Sequence, residues 1–230
     1  MTRISIESAT LFTPGRASYI DETNVLQLTD ASNHRAEAAA DAYSSDIHDV
    51  AVFAGGFPGL AQGWVESLTP PADRREAHLM AVPLINRLQR EGISSQEIDK
   101  VVATQGDSSN SFGDVIISVE RGLLEPNKFN ENKSHGIDLN TGALHGRRFR
   151  IILSRVLDID PKRIRRLDMR DVYGTPEYPS QSAESAVKAV AKELAALAVT
   201  GYILRDVKSG DIESLKEAEQ RFINIASKHS

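Results

Sequence analysis

Apolar and polar positions alternate along this chain in two different rhythms. Short runs rich in β-branched and aromatic residues, which are typical of strands, occupy residues 4–12, 50–54, 101–104, 137–139 and 164–169. Between them, apolar residues recur every three or four positions over residues 31–43, 77–88, 183–194 and 212–225, which predicts helices. Strands that alternate with helices favour an α/β fold, in which a mainly parallel sheet carries helices on both faces.

The helix over residues 77–88 has the most regular period, and we expect it to end near Gly92. Thr69 and Pro70 are suitable as its N-cap and first helical residue. The longest irregular stretches are residues 55–68 and 125–135, which are rich in Gly, Pro, Asn and Ser. Loops of this length are more often ligand loops or lids than spacers.

The composition is that of an ordinary globular protein, and it excludes several functional classes. The 230 residues carry 27 basic and 32 acidic side chains, a net charge of −5, and 40% of them are hydrophobic. The acidic balance argues against binding to nucleic acid or to an anionic membrane. Because the chain has no cysteine, disulfides, thiolate metal sites and cysteine nucleophiles are excluded. We expect a cytoplasmic protein with one domain over residues 1–230 and a helical C-terminal extension over residues 180–230.

The predicted strand ends share a composition that suits an anionic ligand. Four consecutive strand exits, at residues 13–16, 55–59, 105–111 and 140–145, are rich in Gly, Ser, Thr and Asn. Ligands of open parallel sheets bind at the carboxyl ends of the strands, where helix N-termini offer N–H groups to phosphate. The candidate ligand-binding residues are Gly15, Arg16, Gly55, Gly56, Ser108, Ser109, Asn110 and Ser111. Each loop taken singly also fits an ordinary turn.

The glycine spacing excludes two common nucleotide-binding folds. Gly55, Gly56 and Gly59 form a G-G-x-x-G pattern, and no helical period follows them directly. A dinucleotide fold needs G-x-G-x-x-G at the entrance of a helix, and a P-loop needs G-K-S or G-K-T. The sequence has neither motif, so nicotinamide dehydrogenases and P-loop nucleotidases are excluded.

Asp114 has two explanations. Ser111 followed by Asp114 three residues later is a variant of the capping box, which accounts for both residues without a ligand. A capping box does not account for Ser108, Ser109 and Asn110, whose side chains we expect to point into the crevice at the strand ends. Asp114 therefore also belongs among the ligand-binding candidates.

His145 and Arg148 are three residues apart in a predicted helix, so their side chains share one face and can bind one anionic group. They lie in a basic segment that holds nine Lys and Arg residues: Arg147, Arg148, Arg150, Arg155, Lys162, Arg163, Arg165, Arg166 and Arg170. A local positive field of this kind is consistent with an anionic ligand, although some of these residues must form a solvated face.

Glu76 stands at the start of a predicted helix, where a carboxylate ordinarily stabilises the positive helix end. A functional Glu76 would accept hydrogen bonds from a sugar hydroxyl, activate water, or bind a divalent ion together with Asp107. The spacings H-x-x-x-H and H-E-x-x-H are absent, so no residue is assigned as a metal ligand. Glu76 and His145 are the candidate catalytic residues, as acid–base groups. No role is assigned to His34, His48, His78, His135 or His229.

Taken in order, these motifs resemble the DUF218 domain, also called the YdcF-like or SanA-like family. The matching pieces are Gly55-Gly56, Glu76-Ala77-His78-Leu79-Met80, Gly92-Ile93, Ser108-Ser109-Asn110-Ser111 and His145-Gly146-Arg147-Arg148. The resemblance extends over residues 11–167 and implies a Rossmann-like three-layer α/β sandwich. It carries over Glu76, Ser109, Asn110, Ser111, His145 and Arg148 as the shared positions. A family member is reported to bind S-adenosylmethionine, so the cofactor stays open between S-adenosylmethionine and a divalent ion.

The chain departs from the family pattern after Asn110. Where the family has Thr-x-Glu-Asn, this chain has Ser111-Phe112-Gly113-Asp114, so that the acid is missing at Gly113. Many members also carry membrane helices, whereas this sequence has no run of about 18 apolar residues.

Three functional hypotheses result. The leading one is a cytoplasmic DUF218-like protein that binds a phosphorylated or nucleotide-like small molecule in the strand-end crevice, as a hydrolase or a group transferase. The alternative is a non-catalytic binder or sensor of S-adenosylmethionine or a similar metabolite. The third is an interaction protein whose amphipathic helix over residues 211–226 docks a second subunit. If that subunit is another copy of this chain, the assembly is a homo-oligomer.

Overall fold

The structure, a computed structural model, describes residues 5–15, 18–20, 26–56, 75–108, 110–167 and 183–226. The strands are β1 (Ser8–Pro14), β2 (Ser18–Ile20), β3 (Leu26–Leu28), β4 (His48–Ala54), β5 (Val102–Gln105), β6 (His135–Leu139) and β7 (Ile164–Arg166). The helices are α1 (Asp30–Ala42), α2 (Glu76–Arg90), α3 (Ser95–Val101), α4 (Ser111–Glu120), α5 (Pro126–Glu131), α6 (Ala143–Val156), α7 (Ala183–Leu204) and α8 (Ile212–Ala226).

Five strands form one parallel sheet in the order β5-β4-β1-β6-β7, and β2 pairs with β3 in a small antiparallel ribbon. The chain first builds outward from β1 through β4 to β5, and then returns to place β6 on the other side of β1. Strand order therefore reverses between β1 and β6, and ligands of doubly wound sheets bind at such a switch point. The predicted α/β sandwich with a parallel sheet is confirmed.

Each face of the sheet carries its own apolar core, as expected for strands buried on both sides. Leu11 and Phe53 face α1, α2 and α3, where they meet residues such as Met80. Phe12 and Ile137 face the opposite layer, which includes α4, α6 and the two C-terminal helices. Apolar residues run continuously through the end of β4 because neither face of this strand contacts water.

Two local predictions are wrong. Helix α2 begins at Glu76 with Arg75 as its N-cap, so Thr69 and Pro70 do not begin it, and both lie outside the described residues. Residues 125–135 are not one irregular loop, because they contain α5 and the start of β6. Pro126 stands in the first turn of α5, where its missing N–H costs nothing, and Phe129 anchors the helix in the core.

The C-terminal helices pack on the same layer as α4 and α6. Leu215 and Ala218 of α8 are buried, and the ring of Phe222 lies 5.3 Å from that of Phe112. The apolar side of α8 is therefore covered by its own chain, and the structure does not support the hypothesis that residues 211–226 dock a second subunit. None of the described helices is long and apolar enough to cross a membrane.

Candidate functional site

The carboxyl ends of β1, β4, β5 and β6 meet at one edge of the sheet, where the strand ladder continues into the loops. Gly15 N–H donates to Ala54 O at 2.6 Å, and Gly55 N–H donates to Gln105 O at 3.0 Å. Across the switch point, Asn140 N–H donates to Phe12 O at 2.9 Å. The four predicted strand exits therefore lie side by side, and the first residues of α2, α4 and α6 follow three of them.

Glu76 lies at the centre of this edge. It is the first residue of α2 and is buried, and its Oε1 accepts a hydrogen bond from Ser32 Oγ at 2.8 Å. Its carboxylate rests on the backbone of two strand exits, since a Cβ at Gly55 would lie 3.1 Å from Glu76 Oε2 and a Cβ at Gly15 would overlap the carboxylate. A side chain at Gly15 would require the Glu76 carboxylate to move, whereas one at Gly55 would require a shift of only a few tenths of an ångström.

Gly56 has a different reason to be glycine. A Cβ there would overlap the carbonyl of Ser108, so the exits of β4 and β5 are packed directly against each other. Gly56 and Ser108 thus close the floor of the edge between these two strands. This contact explains Gly56 by packing alone and does not test its predicted role in ligand binding.

Asn110 caps α4, and the predicted capping box of Ser111 and Asp114 is wrong. Asn110 Oδ1 accepts hydrogen bonds from Phe112 N–H at 2.8 Å and Gly113 N–H at 3.0 Å. Its Nδ2 donates to Glu219 Oε1 of α8 at 2.7 Å. Both ends of the Asn110 amide are therefore held by the protein.

Asp114 is buried one turn into α4, and Ser108 Oγ donates to its Oδ1. Burial raises the pKa of the Asp114 carboxyl to about 7, against the hydrogen bond from Ser108, and the negative charge of Glu76 raises it further. Both protonation states of Asp114 are consequently populated at neutral pH, which is the property that acid–base catalysis requires. Ser108, predicted to face the crevice, donates its hydrogen bond to this carboxyl.

His145 lies in the first turn of α6 and bridges the switch point. Its Nδ1 lies 3.3 Å from Arg35 Nη1 and 3.2 Å from Thr141 Oγ1, and its Nε2 lies 3.3 Å from Ser111 Oγ. A guanidinium can only donate, so Nδ1 accepts and Nε2 is assigned the proton. Arg35 Nη1 also donates to Pro14 O at 2.9 Å and Gly15 O at 3.0 Å, which fixes the histidine relative to β1.

Arg148 contacts a different part of the site from His145. Its Nη2 lies 3.5 Å from Glu193 Oε2 of α7, and its positive charge acts on buried Asp114. Both members of the Arg148–Glu193 pair are almost inaccessible to solvent. The two residues predicted to bind one anion together thus both reach the site, each with its own partners.

Asn140 adds a polar atom that the fold leaves unused. Its Nδ2 donates to Thr13 Oγ1 at 3.2 Å and to Arg35 O at 2.8 Å, at the end of β6. Its Oδ1 is buried and has no hydrogen-bond partner within the described part of the chain. We name the group of Arg35, Glu76, Asp114, His145 and Arg148 the carboxyl-edge site.

The basic segment contributes Arg148 to this site, while other members serve the fold. Arg163 donates to His135 O, and Arg165 Nε donates to Asp138 Oδ1 at 2.7 Å. Arg150 Nε donates to Pro161 O at 2.7 Å, and Arg147 is exposed. Arg163, Arg165 and Arg150 therefore have partners within the fold, and of these three Arg165 is the one paired with an acidic side chain.

The remaining candidates are accounted for as follows. Arg16 and Ser109 lie outside the described residues, as does Arg170. Asp107, suggested as a metal partner of Glu76, is ion-paired with Arg75 and Arg121. Among the described residues, no group of three or more His, Asp or Glu side chains could hold a metal ion.

Sequence reasoning missed Arg35, Ser32, Glu193 and Glu219. One signal was present for Arg35, because Ala31, Arg35 and Ala39 recur every four residues and all three are buried. A charged residue on the buried, alanine-rich face of a helix needs a buried partner.

No protein-family model, no curated protein and no solved structure matches this chain.

Proposed function

We propose that this protein binds a phosphorylated or nucleotide-like small molecule at the carboxyl-edge site. The observation that carries the proposal is the burial of five ionisable side chains at the switch point of the sheet. Buried ionisable groups are costly to a fold unless they are paired, and those with strongly shifted pKa values concentrate at ligand sites. The buried Oδ1 of Asn140 has no hydrogen-bond partner among the described residues, and this atom would accept one further hydrogen bond from a ligand.

Helix ends and arginines favour an anionic group on the ligand. Helices α2, α4 and α6 begin at Glu76, Ser111 and Ala143, each following a strand that ends at this edge. Asn110 occupies the first N–H groups of α4, and Ala77 N–H of α2 donates to Gly55 O at 3.1 Å. Helix α6 begins after Gly142 without a capping side chain, so its N-terminus is the one best suited to attract phosphate. The guanidinium groups of Arg35 and Arg148 add two positive charges. The carboxylate of Glu76 is a suitable acceptor for the hydroxyls of a sugar attached to that phosphate.

Hydrolysis or group transfer is the chemistry that this set of side chains supports. Asp114, with a pKa of about 7, can accept and release a proton at neutral pH. His145 presents an N–H at Nε2 and lies in contact with Ser111, and Glu76 supplies a second carboxyl. We assign proton transfer to these residues and anion binding to Arg148 and the loop N–H groups.

The same residues support placing the chain with DUF218-like proteins, as a proposal. Glu76, His145 and Arg148 are positions that the resemblance carries over, and all three belong to the carboxyl-edge site. Asn110 is a weaker match, because it caps α4 and contacts Glu219.

A thermal-shift titration tests the proposal. The full chain is heated with inorganic phosphate, AMP, ATP or S-adenosylmethionine, each in a separate series. A ligand at about 100 times its Kd adds about 2.7 kcal/mol of stability, which raises the Tm of a chain of this size by roughly 5–10 °C. We expect at least one phosphorylated ligand to do so, and product analysis of that mixture tests for turnover.

A matched pair of variants localises the effect. Removing Arg148 alone would leave Glu193 with an unbalanced buried charge, so the test variant is Arg148→Gln/Glu193→Gln, which removes both charges. It should fold and lose the ligand-induced shift, while exposed Arg147→Gln retains the shift. A double variant that responds like the unmodified chain, or a flat response of the unmodified chain to every ligand, refutes the proposal. A ligand recovered unchanged assigns binding without catalysis.

A further inference from the structure

Helix α8 presents Glu219 to the first turn of α4. Leu215, Glu219 and Phe222 recur every three or four residues and so lie on one face of α8. Leu215 is buried, and the ring of Phe222 lies 5.3 Å from that of Phe112 of α4. The face of α8 that packs on the protein therefore carries Glu219 to the end of α4 that begins at the sheet edge.

Glu219 holds the residue that caps α4. Asn110 Nδ2 donates to Glu219 Oε1 at 2.7 Å, while Asn110 Oδ1 accepts from the N–H groups of Phe112 and Gly113. A hydrogen bond to a carboxylate is stronger than one to a neutral acceptor. The carboxylate thus fixes the orientation of the capping amide, and with it the start of the helix that carries Asp114.

Position 113 is glycine at the point where this carboxylate needs room. A Cβ at Gly113 would lie 2.9 Å from Glu219 Oε1 and 3.3 Å from Ser108 Cβ. A side chain there would displace the carboxylate, so glycine permits the contact between Glu219 and Asn110. Gly113 directly precedes Asp114, and the negative charge of Glu219 acts on the Asp114 carboxyl as well.

We propose that Glu219 is a positioning residue of the carboxyl-edge site, which fixes the first turn of α4 through Asn110 and places a negative charge beside Asp114. The inference rests on the proposed function, in which Asp114 transfers a proton. A nearby negative charge favours the acid form of a carboxyl. Glu219 therefore helps Asp114 to hold a proton that it can donate at neutral pH. The C-terminal helix α8 thus completes the site without contributing a group that touches the ligand.

Five helices bring charged or titratable groups to the carboxyl-edge site: Arg35 of α1, Glu76 of α2, His145 and Arg148 of α6, Glu193 of α7 and Glu219 of α8. Burial has the largest influence on Asp114 and raises its pKa to about 7, against the hydrogen bond from Ser108. Glu76 and Glu219 raise this pKa as well, whereas Arg148 lowers it. Glu219 is only partly buried and its partner is a neutral amide, so removing its charge leaves no opposite charge unbalanced.

Glu219→Gln separates the two effects of this residue in the full chain. Its amide oxygen still accepts from Asn110, so the cap is kept while the negative charge is lost. NMR follows the Asp114 titration through the chemical shift of its carboxyl carbon. The midpoint should lie near pH 7 in the parent and at lower pH in the variant. Glu217→Gln is the matched control, because Glu217 is exposed on the same helix, and it should leave the midpoint unchanged.

Glu219→Ala removes the hydrogen bond together with the charge, so its Tm should be lower than that of Glu219→Gln. Equal Tm values for these two variants overturn the role of Glu219 at the cap. An Asp114 midpoint that Glu219→Gln leaves unchanged overturns its role at the acid, because a merely structural residue would alter the Tm alone. Neither measurement needs a ligand. If the midpoint moves as expected but inorganic phosphate, AMP, ATP and S-adenosylmethionine all leave the Tm of the parent unchanged, the action of Glu219 on Asp114 stands and the proposed function fails.

Discussion

Two groups of histidine, acidic and arginine side chains lie in different parts of the same sheet. His48 and His135 begin β4 and β6, whereas His145 follows the carboxyl end of β6. His48 Nε2 lies 3.0 Å from Asp138 Oδ2, and Arg165 binds the same carboxylate through Nε at 2.7 Å and Nη2 at 2.8 Å. We name His48, His135, Asp138 and Arg165 the strand-start cluster. It contains the residue types of the carboxyl-edge site in another arrangement.

The pKa values of the two acids move in opposite directions. Burial alone would raise the pKa of Asp138, but hydrogen bonds from His48 and Arg165 hold it below its usual value. Burial raises the pKa of Asp114 to about 7, and neighbouring Glu76 adds to the rise because like charges repel. The first acid is satisfied by its partners and stabilises the fold as an anion. The second has a hydrogen bond from Ser108, but burial outweighs it and raises the pKa, which is typical of a residue that binds a ligand or transfers a proton.

His135 of the strand-start cluster and His145 of the carboxyl-edge site also differ in their surroundings. His135 Nδ1 lies 2.8 Å from Ser8 Oγ and its Nε2 lies 3.1 Å from Thr10 Oγ1, so both ring nitrogens have hydroxyl partners. Burial, with positive Lys128 and Arg163 nearby, lowers its pKa to about 4. A ring that stays neutral at pH 7 is a weak base, and we interpret its contact with Ser8 as structural. His145 instead contacts Arg35 and Ser111 beside two carboxyls.

The largest effect on stability should come from Asp138→Ala. The substitution removes one hydrogen bond from His48 and two from Arg165, and it leaves buried His48 without the acceptor at its Nε2. The Arg165 side chain is 43% exposed, so its guanidinium is rehydrated. At about 1 kcal/mol for each hydrogen bond, the loss is about 3 kcal/mol. Urea unfolding at pH 7 measures the loss. The ligand-induced shift in Tm should survive, because Asp138 does not belong to the carboxyl-edge site.

A loss below about 1 kcal/mol, within the range of exposed ion pairs, would show that the strand-start cluster is not a structural unit. Asp138→Asn serves as the control for shape. Its amide keeps one acceptor for Arg165, so it should destabilise the chain less than alanine does.

A smaller effect, of opposite direction, should come from Asp114→Asn at the carboxyl-edge site. Asp114 is protonated in the folded chain up to about pH 7 but ionises near pH 4 when unfolded. The folded state thus binds more protons between these values, and stability falls as pH rises through this window. The asparagine variant avoids that fall, so its free energy of unfolding relative to the parent should improve by about 2–3 kcal/mol between pH 5 and pH 8.

Denaturant unfolding at both pH values provides the measurement, with exposed Asp41→Asn on α1 as the control for exchanging acid for amide. An equal difference between variant and parent at pH 5 and pH 8 would mean that the folded Asp114 ionises like an unfolded one. The variant should also lose any activity that depends on the proton of Asp114.

More of the fold than of the site could be predicted from the sequence. Strands β4, β5, β6 and β7 were located to within a few residues, and β4 most clearly, because a strand buried on both faces leaves a continuous apolar run. The four strand exits and Glu76 were also recognised, since parallel strands must end at one edge. Which side chains meet there depends on packing between helices distant in sequence. Glu193 and Glu219 reach the site from α7 and α8, and no local pattern announces that approach.

The same limit explains the errors at α4 and α7. A capping box was predicted from the spacing of Ser111 and Asp114, but Asn110 formed the cap and left Asp114 free to bind Ser108. Local spacing states which caps are feasible, and tertiary contacts select one of them. In α7 the apolar period identified the helix but not the face that packs on the core, because Val187, Val190 and Leu194 face solvent.

The smallest effect should come from His135→Gln, and its sign sharpens the comparison. The pKa of His135 is about 4 in the folded chain and near 6.5 when unfolded, so the unfolded state binds more protons between these values. Stability from this group is complete above pH 6.5 and is lost as pH falls, by about 1–2 kcal/mol at pH 5. His135 and Asp114 therefore impose opposite slopes over the same pH window, and the parent chain should show a shallow net dependence. Removing His135 should leave stability falling with pH, removing Asp114 should leave it rising, and removing both should flatten it. Unfolding curves at pH 5, 6 and 7 measure this pH dependence in the parent, the two single variants and the double variant. If the free energy of unfolding has the same pH slope in all four proteins, neither buried group has the shifted pKa that its surroundings require.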